Sequence, residues 1–101
     1  MAEKPAQLES VRSTLRDQMD RLGAEYNVSS LEVFGSYVRG EASKASDLDL
    51  LVAFRTPPSL FRFVELEDEL TRLLGLQVDL VMRDGLKPAL GERILAESVP
   101  V

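Results

Sequence analysis

The sequence predicts an α/β (α+β) fold, a small mixed β-sheet of about three strands with helices packed on it. Three observations predict it. Apolar residues recur at helical spacing in three segments. Three shorter segments alternate apolar and polar residues at strand spacing. The two kinds of segment take turns along the chain, a pattern that implies helices covering a sheet.

The first helix is expected over residues 5–22, where Leu8, Val11, Leu15, Met19 and Leu22 fall on one face. Pro5 suits its first turn and Gly23 the position just past its end. Residues 28–34 read as a strand, with Leu31 and Val33 sharing a face. Gly35 ends it, and a short helix follows over residues 36–39, closed by Gly40. Residues 41–46 form a polar loop in which Lys44 and Ser46 are loop and cap residues. The second strand, residues 47–54, places Leu48, Leu50 and Val52 on one face and Asp47, Asp49 and Leu51 on the other. Ser59 is the N-cap of a helix over residues 60–74, with Phe63, Leu66, Leu70 and Leu73 as its stripe and Gly75 at its end. The Phe61/Phe63 neighbourhood reads as helix core, and Tyr37 as a packing or interface residue. A third strand is expected over residues 76–82 and a last helix over residues 86–96. The apolar tail, residues 98–101, is expected to pack on the domain or on a partner.

Composition narrows the function. A chain of 101 residues suggests one domain, residues 1–101, with a modest core. The net charge of -5 argues against direct nucleic-acid binding, which needs a basic surface. The sequence has no Cys and no His, which removes thiol chemistry, the usual zinc ligands and His general base catalysis. No apolar run approaches a membrane span and no signal-peptide pattern opens the chain, so a cytoplasmic location is the default expectation.

Asp47 and Asp49, two apart on a strand, send two carboxylates from one face. Held that close they repel, and a cation between them relieves the repulsion. Magnesium suits oxygen ligands of this kind together with substrate phosphates. Asp79 shares a face of the third strand with Gln77 and Val81. It joins the pair if the two strands are neighbours in suitable register, making a set suited to two ions. Gly35 at a strand end lets backbone approach a ligand, and Ser36 offers a hydroxyl and N–H groups to an anion. Arg39, one turn on, is in reach of a phosphate or of the Asp-bearing strand.

The run from Gly35-Ser36 through Asp47-Leu-Asp49 to Val52 resembles the signature of the DNA polymerase beta nucleotidyltransferase superfamily: Gly-Ser, ten residues, then Asp-x-Asp. It is particularly similar to the minimal nucleotidyltransferases (MNT proteins), and so are Leu31-Glu-Val-Phe34, Val78-Asp-Leu-Val81 and the segment from Leu86 to Val99. The resemblance implies the nucleotidyltransferase fold. It implies that Gly35 and Ser36 bind the triphosphate of ATP, that Asp47 and Asp49 hold two magnesium ions, and that Asp79 is the third ligand and favours deprotonation of the attacking hydroxyl. It also implies a HEPN-domain toxin as partner, silenced by transfer of AMP to a tyrosine, with the chain acting as antitoxin and able to form a hetero-oligomer with the toxin. Two alternatives stay open: an antitoxin that neutralises by contact alone, and a small-molecule nucleotidyltransferase of the antibiotic-modifying type.

Overall fold

The computed structural model describes residues 3–43 and 45–101, with side chains from residue 7 onward. Lys44 therefore lies outside the described residues. The elements run α1 (Glu3–Tyr26), β1 (Val28–Phe34), α2 (Ser36–Arg39), β2 (Leu48–Phe54), α3 (Leu60–Leu74), β3 (Val78–Met82), α4 (Pro88–Glu97) and β4 (Val99–Pro100). The sheet order is β3-β2-β1-β4. β1 pairs antiparallel with β2 and with β4, while β2 and β3 run parallel, joined by α3.

Alternation along the strands decides the two faces. Leu31 and Val33 of β1 sit opposite Val52 and Leu50 of β2, and Leu50 sits beside Leu80 of β3. These side chains, with Leu48 and Val78, are buried against Val11, Leu15 and Leu22 of α1 and Leu66 and Leu70 of α3. Burying branched aliphatic side chains is worth about 1.5 to 3 kcal/mol each, so this layer supplies most of the favourable folding energy. The opposite face carries Glu32 and Phe34, then Asp49 and Leu51, then Asp79 and Val81. Leu51 and Phe34 are buried there too.

Four expectations need correction. The first helix does not stop at Gly23; it continues to Tyr26 and ends at Asn27, whose φ of 61° is the left-handed stop. Gly23 serves close packing instead. A Cβ there would lie 3.3 Å from the Val28 carbonyl oxygen, and Arg55 reaches across to donate to the Gly23 carbonyl. The sheet has four strands, not three. The tail folds back on the domain as β4, where Arg12 and Arg16 of α1 donate to the carbonyls of Pro100 (2.9 Å) and Val101 (2.7 Å). The last helix begins at Pro88 and reaches Glu97, one residue beyond expectation, with its proline in the first turn. Finally, Phe61 is 72 % exposed, whereas Phe63 packs on the core beside Phe54. Residues two apart on a helix point some 200° apart and do not share a face.

The β3 edge of the sheet is covered. On β3, the outward N–H groups of Leu80 and Val78 donate to the Glu67 carboxylate (2.9 Å) and the Thr71 hydroxyl (3.2 Å) of α3. An edge strand with its donors satisfied is a poor template for pairing with another chain. Ser59 caps α3 as expected, accepting from the Arg62 N–H. Among the described residues no helix is long and apolar enough to cross a membrane.

Candidate active site

The site forms where β1 gives way to α2 and where β2 begins. Gly35 adopts φ 82° and ψ -152°, a backbone that side-chain-bearing residues rarely enter. The reason lies next to it. A Cβ on Gly35 would overlap the Asp49 carboxylate and come within 3.0 Å of its Cγ. The close approach expected of this glycine is thus made, in the free chain, by the carboxylate of Asp49. The Gly35 carbonyl accepts from the N–H groups of Val38 (3.1 Å) and Arg39 (3.2 Å), which turns the chain into α2. Ser36 is half-buried and its hydroxyl makes no hydrogen bond within the chain among the described residues. Tyr37 is a packing residue, 4 % exposed. The following loop is tied by Ser46, whose hydroxyl accepts from the Ser43 N–H at 2.9 Å.

Strand register brings the carboxylates together. Asp49 and Asp79 are direct neighbours across the parallel β2–β3 pair and share a face. Asp47 precedes β2 by one residue and is exposed. The Asp49 carboxyl is pushed above the ordinary aspartate range, first by burial, then by repulsion from Asp79 and Asp47, with Arg39 opposing in part. Two neighbours that disfavour the charge of a third are the condition a cation relieves. Hard oxygen donors of this kind fit magnesium. Among the described residues no three carboxylates already converge as a closed ligand set. Magnesium binds through one or two carboxylates together with water and phosphate oxygens.

A feature not anticipated from sequence is Glu97, at the end of α4. Its carboxylate accepts from the Gly35 N–H (2.7 Å) and from the Arg39 guanidinium (2.9 and 3.1 Å). Arg39 also donates to Glu41 at 3.0 Å. Burial alone would push the Glu97 carboxyl up; the Gly35 N–H and Arg39 outweigh it and hold it below the ordinary range. The Arg39 guanidinium is thus engaged by two carboxylates. Next in the chain, the Ser98 hydroxyl donates to Glu32 of β1 at 2.6 Å, so β1 and the residue before β4 are fastened together. A sequence signal for this existed: Leu90, Arg93, Ile94 and Glu97 recur at helical spacing, which places two charges on the apolar stripe of α4.

Together these elements enclose an open cleft of about 310 Å³, lined among others by Phe34, Gly35, Asp49, Leu90, Arg93 and Ile94. A larger hollow of about 420 Å³ lies against α1 and the end of α3, near Ser10, Thr14 and Leu76. It lacks titratable side chains and none of Gly35, Asp49 and Arg39 lines it, so the smaller cleft is the candidate site.

A glycine-tight turn packed on a strand carboxylate, with a second carboxylate in register beside it, defines a class of enzyme. The chain matches the nucleotidyltransferase domain family over residues 12–101 and belongs to it. It is a nucleotidyltransferase. Protein adenylyltransferase MntA of Thermococcus cleftensis is 48% identical over 94 residues, which cover 93% of this chain and 95% of that protein. A solved structure assigned as a minimal nucleotidyltransferase superposes with a TM-score of 0.77 at 42% identity, covering 93% of this chain and 95% of that one. The fold is shared more distantly with two toxin–antitoxin structures. One, crystallised with AMP-PNP, gives a TM-score of 0.69 at 22% identity and covers 83% of this chain and 69% of that one. The other holds a tri-AMPylated HEPN toxin of Shewanella oneidensis with its MNT antitoxin, and gives a TM-score of 0.61 at 20% identity over 96% of this chain and 70% of that one.

Proposed function

We propose that this chain transfers AMP from ATP to a hydroxyl, a tyrosine, of a HEPN-domain toxin, and so acts as the toxin's antitoxin. The observation that carries the chemical part is the placement of Asp49, seated against Gly35 and paired in register with Asp79. The acceptor is supported by the relative named as a protein adenylyltransferase and by the fold shared with the AMPylated HEPN complex.

In this reading Asp47, Asp49 and Asp79 would hold magnesium, which would supply a Lewis acid for the phosphate oxygens. Ser36 has a free hydroxyl for the triphosphate, and the Gly35 turn sets the depth to which a phosphate can approach. The acceptor oxygen attacks the α-phosphorus in line, the bond to the β-phosphate oxygen breaks, and pyrophosphate leaves toward Ser36. Asp79, at the edge strand and exposed, lies on the side open to a protein acceptor and favours loss of the hydroxyl proton. Arg39, tied to Glu41 and Glu97, braces the turn from the wall of the cleft.

The test is to incubate the chain with ATP, magnesium and a HEPN-domain toxin, then weigh that protein. Added AMP is expected, and Asp49→Asn should lower the rate by roughly a hundredfold or more while the chain stays folded. An unmodified but silenced partner would instead identify a contact-only antitoxin. An Asp49→Asn chain that labels at wild-type rate would remove the carboxylates from the chemistry.

A further inference from the structure

The cleft holds two guanidinium groups with different commitments. Arg39 lies between two carboxylates, Glu41 at 3.0 Å and Glu97 at 2.9 Å. Two of its donors are engaged, Nε by Glu41 and Nη1 by Glu97, and freeing them would take the guanidinium from both glutamates and leave Glu97 with the Gly35 N–H alone. Arg93 stands one turn before Glu97 on α4 and lines the same cleft as Gly35 and Asp49. It lies near enough to Glu97 to help hold that carboxyl down. Yet among the described residues it makes no salt bridge and no side-chain hydrogen bond. Its neighbours Leu90 and Ile94 line the cleft as well, so the helix, held at its C-terminal end through Glu97, presents Arg93 to that space.

Charge gives this arrangement a direction. Asp49 and Glu97 line the cleft, Asp79 stands in register beside Asp49, and Arg39 is already paired. A polyphosphate entering here meets a strongly anionic rim, with Arg93 as the uncommitted cation among the cleft-lining residues described. A planar guanidinium fork pairs two phosphate oxygens at once.

We propose that Arg93, and not Arg39, is the side chain that binds the polyphosphate of the nucleotide. The inference rests on the nucleotidyl-transfer reading of the site. Arg93 is then a binding residue on the last helix, outside the Gly-Ser and Asp-x-Asp segments.

The test measures binding of ATP with magnesium, and of inorganic tripolyphosphate with magnesium, to the full chain by calorimetry. Arg93→Gln should weaken both ligands by roughly ten- to a hundredfold, the range of a charge-assisted hydrogen bond pair, at an unchanged melting temperature. Arg93→Lys should recover part of the loss. Arg39→Gln should lower the melting temperature, which Arg93→Gln should not. Arg93→Gln chains that bind both ligands within twofold of wild type would overturn the assignment. So would Arg39→Gln chains that lose affinity at unchanged melting temperature while Arg93→Gln does not. A wild-type chain that binds neither ligand would overturn the nucleotide reading itself, and this assignment with it.

Discussion

At Asp49, burial and two neighbouring carboxylates act in the same direction, and the carboxyl holds its proton above the ordinary aspartate value of 3.8. A raised carboxyl means that folding disfavours the charged form. In the metal-free chain, the stability present below the ordinary value is therefore lost as pH rises through the raised one. Glu97 behaves oppositely: its contribution is present above its ordinary value of 4.5 and lost as pH falls through its lowered one. Asp49→Asn removes only the first effect, so comparing the variant with wild type isolates it. The expected result is a melting-temperature advantage for Asp49→Asn that is smallest at the acid end, widens through that window and then levels off. A difference independent of pH would mean that Asp49 is not under this electrostatic load. Asp49 was legible in the sequence because Asp-x-Asp spacing fixes its face. Glu97 is legible only as a charge on the apolar stripe of α4; its partner Gly35 lies 62 residues away, and only the fold brings them together. Gly35 was legible as a glycine that something approaches closely; which group approaches was visible only once β2 lay beside β1.

Among the elements, β3 carries the greatest burden for its length. It has five residues, forms one edge of the sheet and brings Asp79 to the site. Its outer donors depend on α3, through Glu67 and Thr71. Glu67→Ala leaves the part-buried Leu80 N–H without its carboxylate and should cost about 1 to 2 kcal/mol. Urea denaturation reads that cost, and faster amide exchange at Leu80 locates it. If exchange at Leu80 is unchanged, the α3 carboxylate does not guard this edge. Helix and strand faces were read correctly wherever a segment had several periods, as in α1, β2 and α3. β4 has two residues, one of them Pro100, and shows no periodicity to read. The stop of α1 was misplaced because Gly23 obeys two rules at once, helix termination and close packing, and only tertiary contact with Val28 and Arg55 decides between them.

For the whole molecule, the distribution of charge sets what can approach. The chain carries a net charge of -5, and Asp49 and Glu97 line a cleft in which Arg93 is the uncommitted cation among the described residues. ATP is itself polyanionic, so the nucleotide and the rim repel unless divalent cations accompany it. Each like-charge approach near a protein surface costs about 1 kcal/mol or more. Two or three such approaches amount to a roughly ten- to hundredfold loss of affinity. Removing magnesium with EDTA should therefore weaken ATP binding by that factor. The combined Asp47→Asn and Asp49→Asn chain should behave differently: its affinity with magnesium falls, its affinity in EDTA rises, and the gap between the two conditions narrows. Calorimetric titrations of both chains in both conditions give the four values. Equal ATP affinity for wild type with and without magnesium would show that the carboxylate face is not where the nucleotide sits.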